Sequence, residues 1–192
     1  MKRIVFLLIF IYSVVCARAQ KWALKTNLLY DAAATINLGA EMALVPRWTL
    51  DISGNLNAWT FSDNKRWKEL SLQPEVRYWL CDRYSGHFFG VHAHGGQYNW
   101  SGIDLDYKFL GTDFSKLKDN RYQGWFIGAG VAYGYAWVLG RHWNLEAEIG
   151  IGYSFTQYDR YRCAGCGKKV ESDGNHHYFG VTKSALNLVY VF

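Results

Sequence analysis

Thr49-Leu50-Asp51-Ile52-Ser53-Gly54-Asn55-Leu56-Asn57 alternates apolar and polar residues with a period of two. Leu50, Ile52 and Leu56 fall on one side, and Thr49, Asp51, Ser53, Asn55 and Asn57 on the other. A helix, with its 3.6-residue turn, scatters such a pattern around its circumference, whereas a strand sorts it into two faces. The stretch is therefore read as a β-strand with one apolar and one polar face.

The same alternation runs outward from it. Residues 71–78 set Leu72, Pro74, Val76 and Tyr78 against Ser71, Gln73, Glu75 and Arg77. Residues 143–155 set Trp143, Leu145, Ala147, Ile149, Ile151, Tyr153 and Phe155 against Asn144, Glu146, Glu148, Gly150, Gly152 and Ser154. In residues 124–139, Trp125, Ile127, Ala129, Val131, Tyr133, Tyr135, Trp137 and Leu139 are backed by Gly124, Gly128, Gly130, Ala132, Gly134 and Ala136. Bulky side chains on one face and small ones on the other suit a closed sheet whose inside is narrow, as it is around eight strands.

Strands are predicted over residues 22–30, 37–44, 48–59, 70–80, 87–100, 122–139, 143–158 and 180–192, with a bulge at Gly95-Gly96 where the apolar phase shifts towards Tyr98 and Trp100. Short connections at 45–47, 81–86 and 140–142 alternate with long polar ones at 60–69, 101–121 and 159–179, while 31–36 is short. Tight turns at one rim and longer loops at the other are the pattern of outer-membrane barrels. The fold class expected is all-β: a closed, antiparallel, up-and-down transmembrane β-barrel of eight strands.

Composition agrees with that class. Aromatic residues make up 18% of the chain and glycines number 19, yet mean hydropathy is slightly negative at −0.15. That combination fits a barrel apolar outside and polar inside. Lys2 and Arg3, an apolar run over residues 4–15 and Ala17-Arg18-Ala19 form a secretory signal, with cleavage expected after Ala19 and one barrel domain over residues 20–192. Val15 is bulky where lipidation of Cys16 needs a small residue. The apolar run is also shorter than the roughly 20 residues of a membrane-spanning helix. Loss of Lys2, Arg3 and Arg18 lowers the 21 basic residues by three, to 18, against 16 acidic ones. With so small a net charge and scattered basic residues, no nucleic-acid partner is indicated.

Near one interface, Trp48 and Trp143 each begin a strand after a tight turn, in the positions of an aromatic belt. The last residues alternate and finish on Phe192, which resembles the signal read by the barrel-assembly machinery. Lys25-Thr26-Asn27-Leu28-Leu29-Tyr30-Asp31, Arg77-Tyr78-Trp79, residues 90–98, Arg121-Tyr122-Gln123-Gly124-Trp125 and residues 128–135 together resemble an uncharacterised family of small outer-membrane barrels of gut-dwelling diderm bacteria. That resemblance covers nearly the whole chain after the signal. It implies an outer-membrane location among lipid and genes often close to those of pili or adhesins, and it transfers no catalytic residue.

Three constellations carry candidate chemistry. Lys25, Glu41, Asp51, Glu75, Arg77, Glu146, Glu148 and Lys183 lie on the polar face, and in a narrow barrel they are expected to pair as a plug rather than form an ion path. His92 and His94 project to the same side of one strand, the arrangement a metal site or a membrane-embedded lipid-modifying enzyme would use, but no serine is placed beside them by the sequence. Cys163 and Cys166, with His176 and His177 after them, read as a local disulfide in preference to a zinc site, because exported thiols oxidise. Cys81 is left without a role. The expected function is a non-enzymatic surface anchor or accessory component, without cofactor or metal, whose loops meet surface or pilus proteins. Its competitors are the His92/His94 lipid enzyme and a soluble lipocalin-like binder, which would need its apolar side chains inside.

Overall fold

The computed structural model describes residues 22–60, 66–102, 108–109, 112–113, 120–162 and 167–192. The chain runs β1 (Trp22–Asn27), α1 (Leu28–Ala32), β2 (Ile36–Val45), β3 (Trp48–Asn57), β4 (Arg66–Trp79), β5 (Gly86–Ser101), β6 (Lys108–Phe109), β7 (Thr112–Asp113), β8 (Arg121–Val138), β9 (Trp143–Tyr161) and β10 (Lys169–Val191). β6 and β7 form a separate two-stranded ladder, and the other eight strands make one antiparallel sheet that closes in a ring. The order around it is β1-β10-β9-β8-β5-β4-β3-β2. Closure joins the first strand to the last, from Ala23 opposite Val191 to Asn27 opposite Asn187. Among the described residues, no helix is long and apolar enough to cross a membrane, which says nothing of strands.

Every strand alternates inside and outside. Leu38, Val91, Ile127, Ile149 and Ile151 face outward, each more than half exposed, while Glu41, Asp51, Glu75 and Arg77 are buried within the ring. The orientation that a lipocalin-like binder requires is the reverse. Trp48 and Trp143 stand on the outer face, packed against Tyr78 and Tyr190 with ring centroids 5.0 Å apart in each pair.

Several boundaries differ from the sequence expectation, two of them substantially. β1 stops at Asn27, because the Asn27 side chain accepts from Leu29 N and caps α1, where an extended run to Tyr30 was expected. Thr26 and Asn37 both donate to Asp31, pinning the helix over the rim. The predicted loop 159–179 is largely strand: β10 begins at Lys169, opposite Tyr161, and its ladder with β9 continues through His177 opposite Phe155. Backbone pairing with β9 holds this segment extended although it lacks an apolar face.

Gly95 and Gly96 carry no bulge. They pair in unbroken register with Ile127 and Phe126, so Tyr98 and Trp100 keep the inward phase of His92 and His94. Register shifts occur instead between Ala43 and Val45 in β2 and at three places in β10, Lys169/Glu171, Glu171/Gly174 and Val181/Lys183; at the last, Val181 opposes Ile151 and Lys183 opposes Gly150, leaving Thr182 as the extra residue. At such a bulge two successive side chains can face the same way.

The wall is uneven in height. β1, β2 and β3 have 6, 10 and 10 residues, whereas β8, β9 and β10 have 18, 19 and 23. The tall side therefore projects beyond the low side at the end bearing the longer connections.

Candidate functional site

The inside of the ring is filled in layers. At the end of the short turns, Trp79 and Phe88 pack in a tilted pair with ring centroids 4.7 Å apart, and Tyr84 folds beneath them, its ring 6.1 Å from Trp79. Tyr84 has a φ of 64°, a conformation rare for a bulky residue, and its carbonyl accepts from Asn144 Nδ2 at 2.6 Å. Trp79 Nε1 donates to Thr49 Oγ1 at 3.0 Å, which satisfies the one polar atom of its buried side chain.

Above this floor all eight charged residues singled out from the sequence converge. Arg77 is the hub: its Nε donates to Glu75 at 2.6 Å, Nη1 to Glu41 at 2.9 Å and to Glu146 at 3.1 Å, and Nη2 to Glu148 at 2.7 Å. Asp51 lies 3.2 Å from Nη2. The guanidinium also sits over the Phe88 ring, 4.6 Å from its centroid. Its planar five-donor fork serves carboxylates from four strands at once, a geometry that a point-charge ammonium does not reproduce. Lys25 Nζ meets Glu41 at 2.5 Å and Lys183 Nζ meets Glu75 at 2.7 Å.

Glycines make room for this network. A Cβ on Gly90 would stand 2.5 Å from Glu75 Oε1, and one on Gly39 would stand 2.6 Å from Lys25 Cγ. The small-residue face of the sequence is thus complementary in shape to its long charged side chains.

His92 closes the layer from above. Its Nε2 shares a 2.9 Å hydrogen bond with Thr182 Oγ1, which the bulge turns inward, and its Nδ1 lies 3.7 Å from Glu75 Oε2 without a hydrogen-bond partner. A hydroxyl and an imidazole in contact are two of the three members of a nucleophilic triad. The third member is not bonded to the ring nitrogen, so nothing in this arrangement orients His92 as a base. His94 sits one step higher, its ring 5.8 Å from that of His92 and 6.1 Å from Phe126. No group of three or more His, Cys, Asp or Glu side chains suited to a metal ion is found among the described residues. Cys163 and Cys166 lie outside the described residues; Cys81 is an exposed free thiol in the short turn after β4.

Over the histidines the ring opens into a cup of about 580 Å³. Tyr98, Trp100, Tyr122, Phe126, Tyr158 and Tyr178 form its walls, and Gln73, Ser154 and Thr182 are at its lower edge. The low side of the ring is completed by Tyr30 of α1, whose phenol burial and neighbouring Glu69 push up to about 12. Sequence reading missed this feature. The signal was present in Phe126, which shares the parity of Gly124 and Gly128, and in Tyr98 and Trp100, which share that of His92.

A family model matches residues 4–192. The chain belongs to DUF3575, a family of proteins of unknown function. No curated protein and no solved structure matches this DUF3575 chain.

Proposed function

We propose that this DUF3575 chain is an outer-membrane β-barrel with a closed centre, a non-enzymatic surface anchor or accessory component. The observation that carries the reading is the inversion of the ring: aliphatic and aromatic residues ring its outside, whereas its buried interior is charged. An apolar belt so large is costly in water and favourable in hydrocarbon. A ring of strands also satisfies its backbone internally, as any lipid-spanning structure must.

The ion-paired layer around Arg77 and the packed floor of Trp79 and Phe88 leave the barrel a plug rather than a pore. Residues 1–19 serve as the export signal, and Phe192, exposed just past the end of β10, is the handle for the assembly machinery. The tall end and its connections face outward from the cell, where they meet surface or pilus proteins.

The test is insertion. Mature protein mixed with phosphatidylcholine vesicles is expected to float with them and to leave their ion conductance at background. Val131→Arg, on the outer face of β8, is expected to cost about 2–4 kcal/mol of folding stability in lipid, measured by urea titration. Protein that stays in the aqueous phase, with Val131→Arg tolerated, overturns the reading.

A further inference from the structure

We propose that the cup at the tall end of the ring binds a neutral saccharide, entering end-on. The inference deepens the anchor reading by supplying what the outward end holds, and it rests on that reading only for the direction of approach.

The volume, about 580 Å³, falls within the roughly 300–1,000 Å³ of small-molecule sites. The lining decides the class. Leu72 and Val181 are the aliphatic residues that border it, too few to solvate an acyl chain. Aromatic faces predominate, and between them stand the hydroxyls and amides of Asn55, Ser71, Gln73, Ser154, Thr156 and Thr182. A pyranose matches such a wall, because its C–H face lies on the electron-rich face of an aromatic ring while its hydroxyls exchange hydrogen bonds at the edge.

Charge selects the neutral members of that class. Glu69 accepts from Ser71 at 3.0 Å, and Arg160 is 3.2 Å from Glu171, so the two formally charged groups of the lining already have partners. An anionic ligand would have to displace Glu171 from Arg160 and would face the Glu69 carboxylate, whose partner is a neutral hydroxyl. The walls are also firmly held: Tyr122 packs edge-on to Tyr158 at 5.3 Å, and Tyr98 packs on Trp100 at 4.9 Å. Stacking platforms fixed in advance lose little freedom when a ligand arrives.

The mature chain, folded in detergent micelles, is applied to an array of neutral glucan, mannan and chitin oligosaccharides beside anionic uronate and sulfated ones. The same preparation is titrated with palmitate, following tryptophan fluorescence. Neutral oligosaccharides are expected to bind saturably. The double variant Tyr122→Ala/Tyr158→Ala is expected to weaken them by about tenfold or more, two aromatic faces being lost together. Its folding is read from heat-shifted gel mobility. Thr156→Trp, which fills the cup without removing a wall, is expected to abolish binding while the ring stays folded. Absence of neutral-saccharide binding, tighter binding of the anionic oligosaccharides or palmitate, or affinity unchanged in both variants overturns the proposal. Vesicle flotation is scored separately, so a failed cup and a failed membrane reading give different results.

Discussion

Arg77 on β4 and Trp100 on β5 both turn into the ring, yet one is enclosed by carboxylates and the other borders an open cup. The backbone geometry around them is the same antiparallel ladder. What differs is the opposing side chain. Around Arg77 the neighbouring strands present acids and glycines that pack closely; around Trp100 they present rings that meet edge to face or tilted and leave space between them. Parity determines the side a residue faces, and shape determines whether that side is solid or hollow.

That contrast can be broken at several points. Arg77→Met removes the common partner of five carboxylates and is expected to cost about 3–5 kcal/mol, as breaking a buried ion pair does. The measurement is urea unfolding in lipid or detergent, and an unchanged midpoint would refute the solid lower half. Gly90→Val drives a side chain into Glu75, which Arg77 and Lys183 hold in place, and should cost about 1–3 kcal/mol. Gly140→Ala, whose Cβ meets nothing within 4 Å, is the control and should stay within about 0.5 kcal/mol.

The smallest effect lies at the projecting end. Lys169 Nζ donates to Asp159 at 2.8 Å, and that bond holds the Asp159 carboxyl below its ordinary value of 3.8 while raising the Lys169 ammonium above 10.5. The contact is complete at neutral pH and is lost as acid carries the solution through the depressed Asp159 value. Amide exchange at Tyr161 and Lys169 should rise there and leave the lower ring unchanged. Equal acceleration in both regions would contradict their independence.

The outward face and the charged interior were legible because apolar and polar residues strictly alternate at residues 49–57, 71–78 and 143–155. The cup was not, because above the histidines aromatic residues occupy both faces and the contrast between them vanishes: Phe126 is flanked by the outward Trp125 and Ile127. The bulge was hidden because Thr182 and Lys183 are both polar, so neither declares a face. The length of β10 was obscured for a related reason. Residues 169–179 carry little apolar alternation, and only the partner strand keeps them extended. Asn27 before Leu28 did announce a helix cap, but an apolar Leu-Leu-Tyr run reads equally well as strand.

The meeting of β1 and β10 also imposes an order in time. Five residue pairs stitch that seam, against eighteen between β8 and β9, and it unites segments from opposite ends of the chain. Its loop-closure entropy is the largest in the molecule, so it is expected to form last and open first, which faster amide exchange at residues 23–27 than along β8 and β9 would show. Lys25 lies within the seam and reaches Glu41 and Glu146. Closing the seam therefore also brings Lys25 of β1 to Glu146 of β9, so circular closure and charge pairing across the interior are coupled.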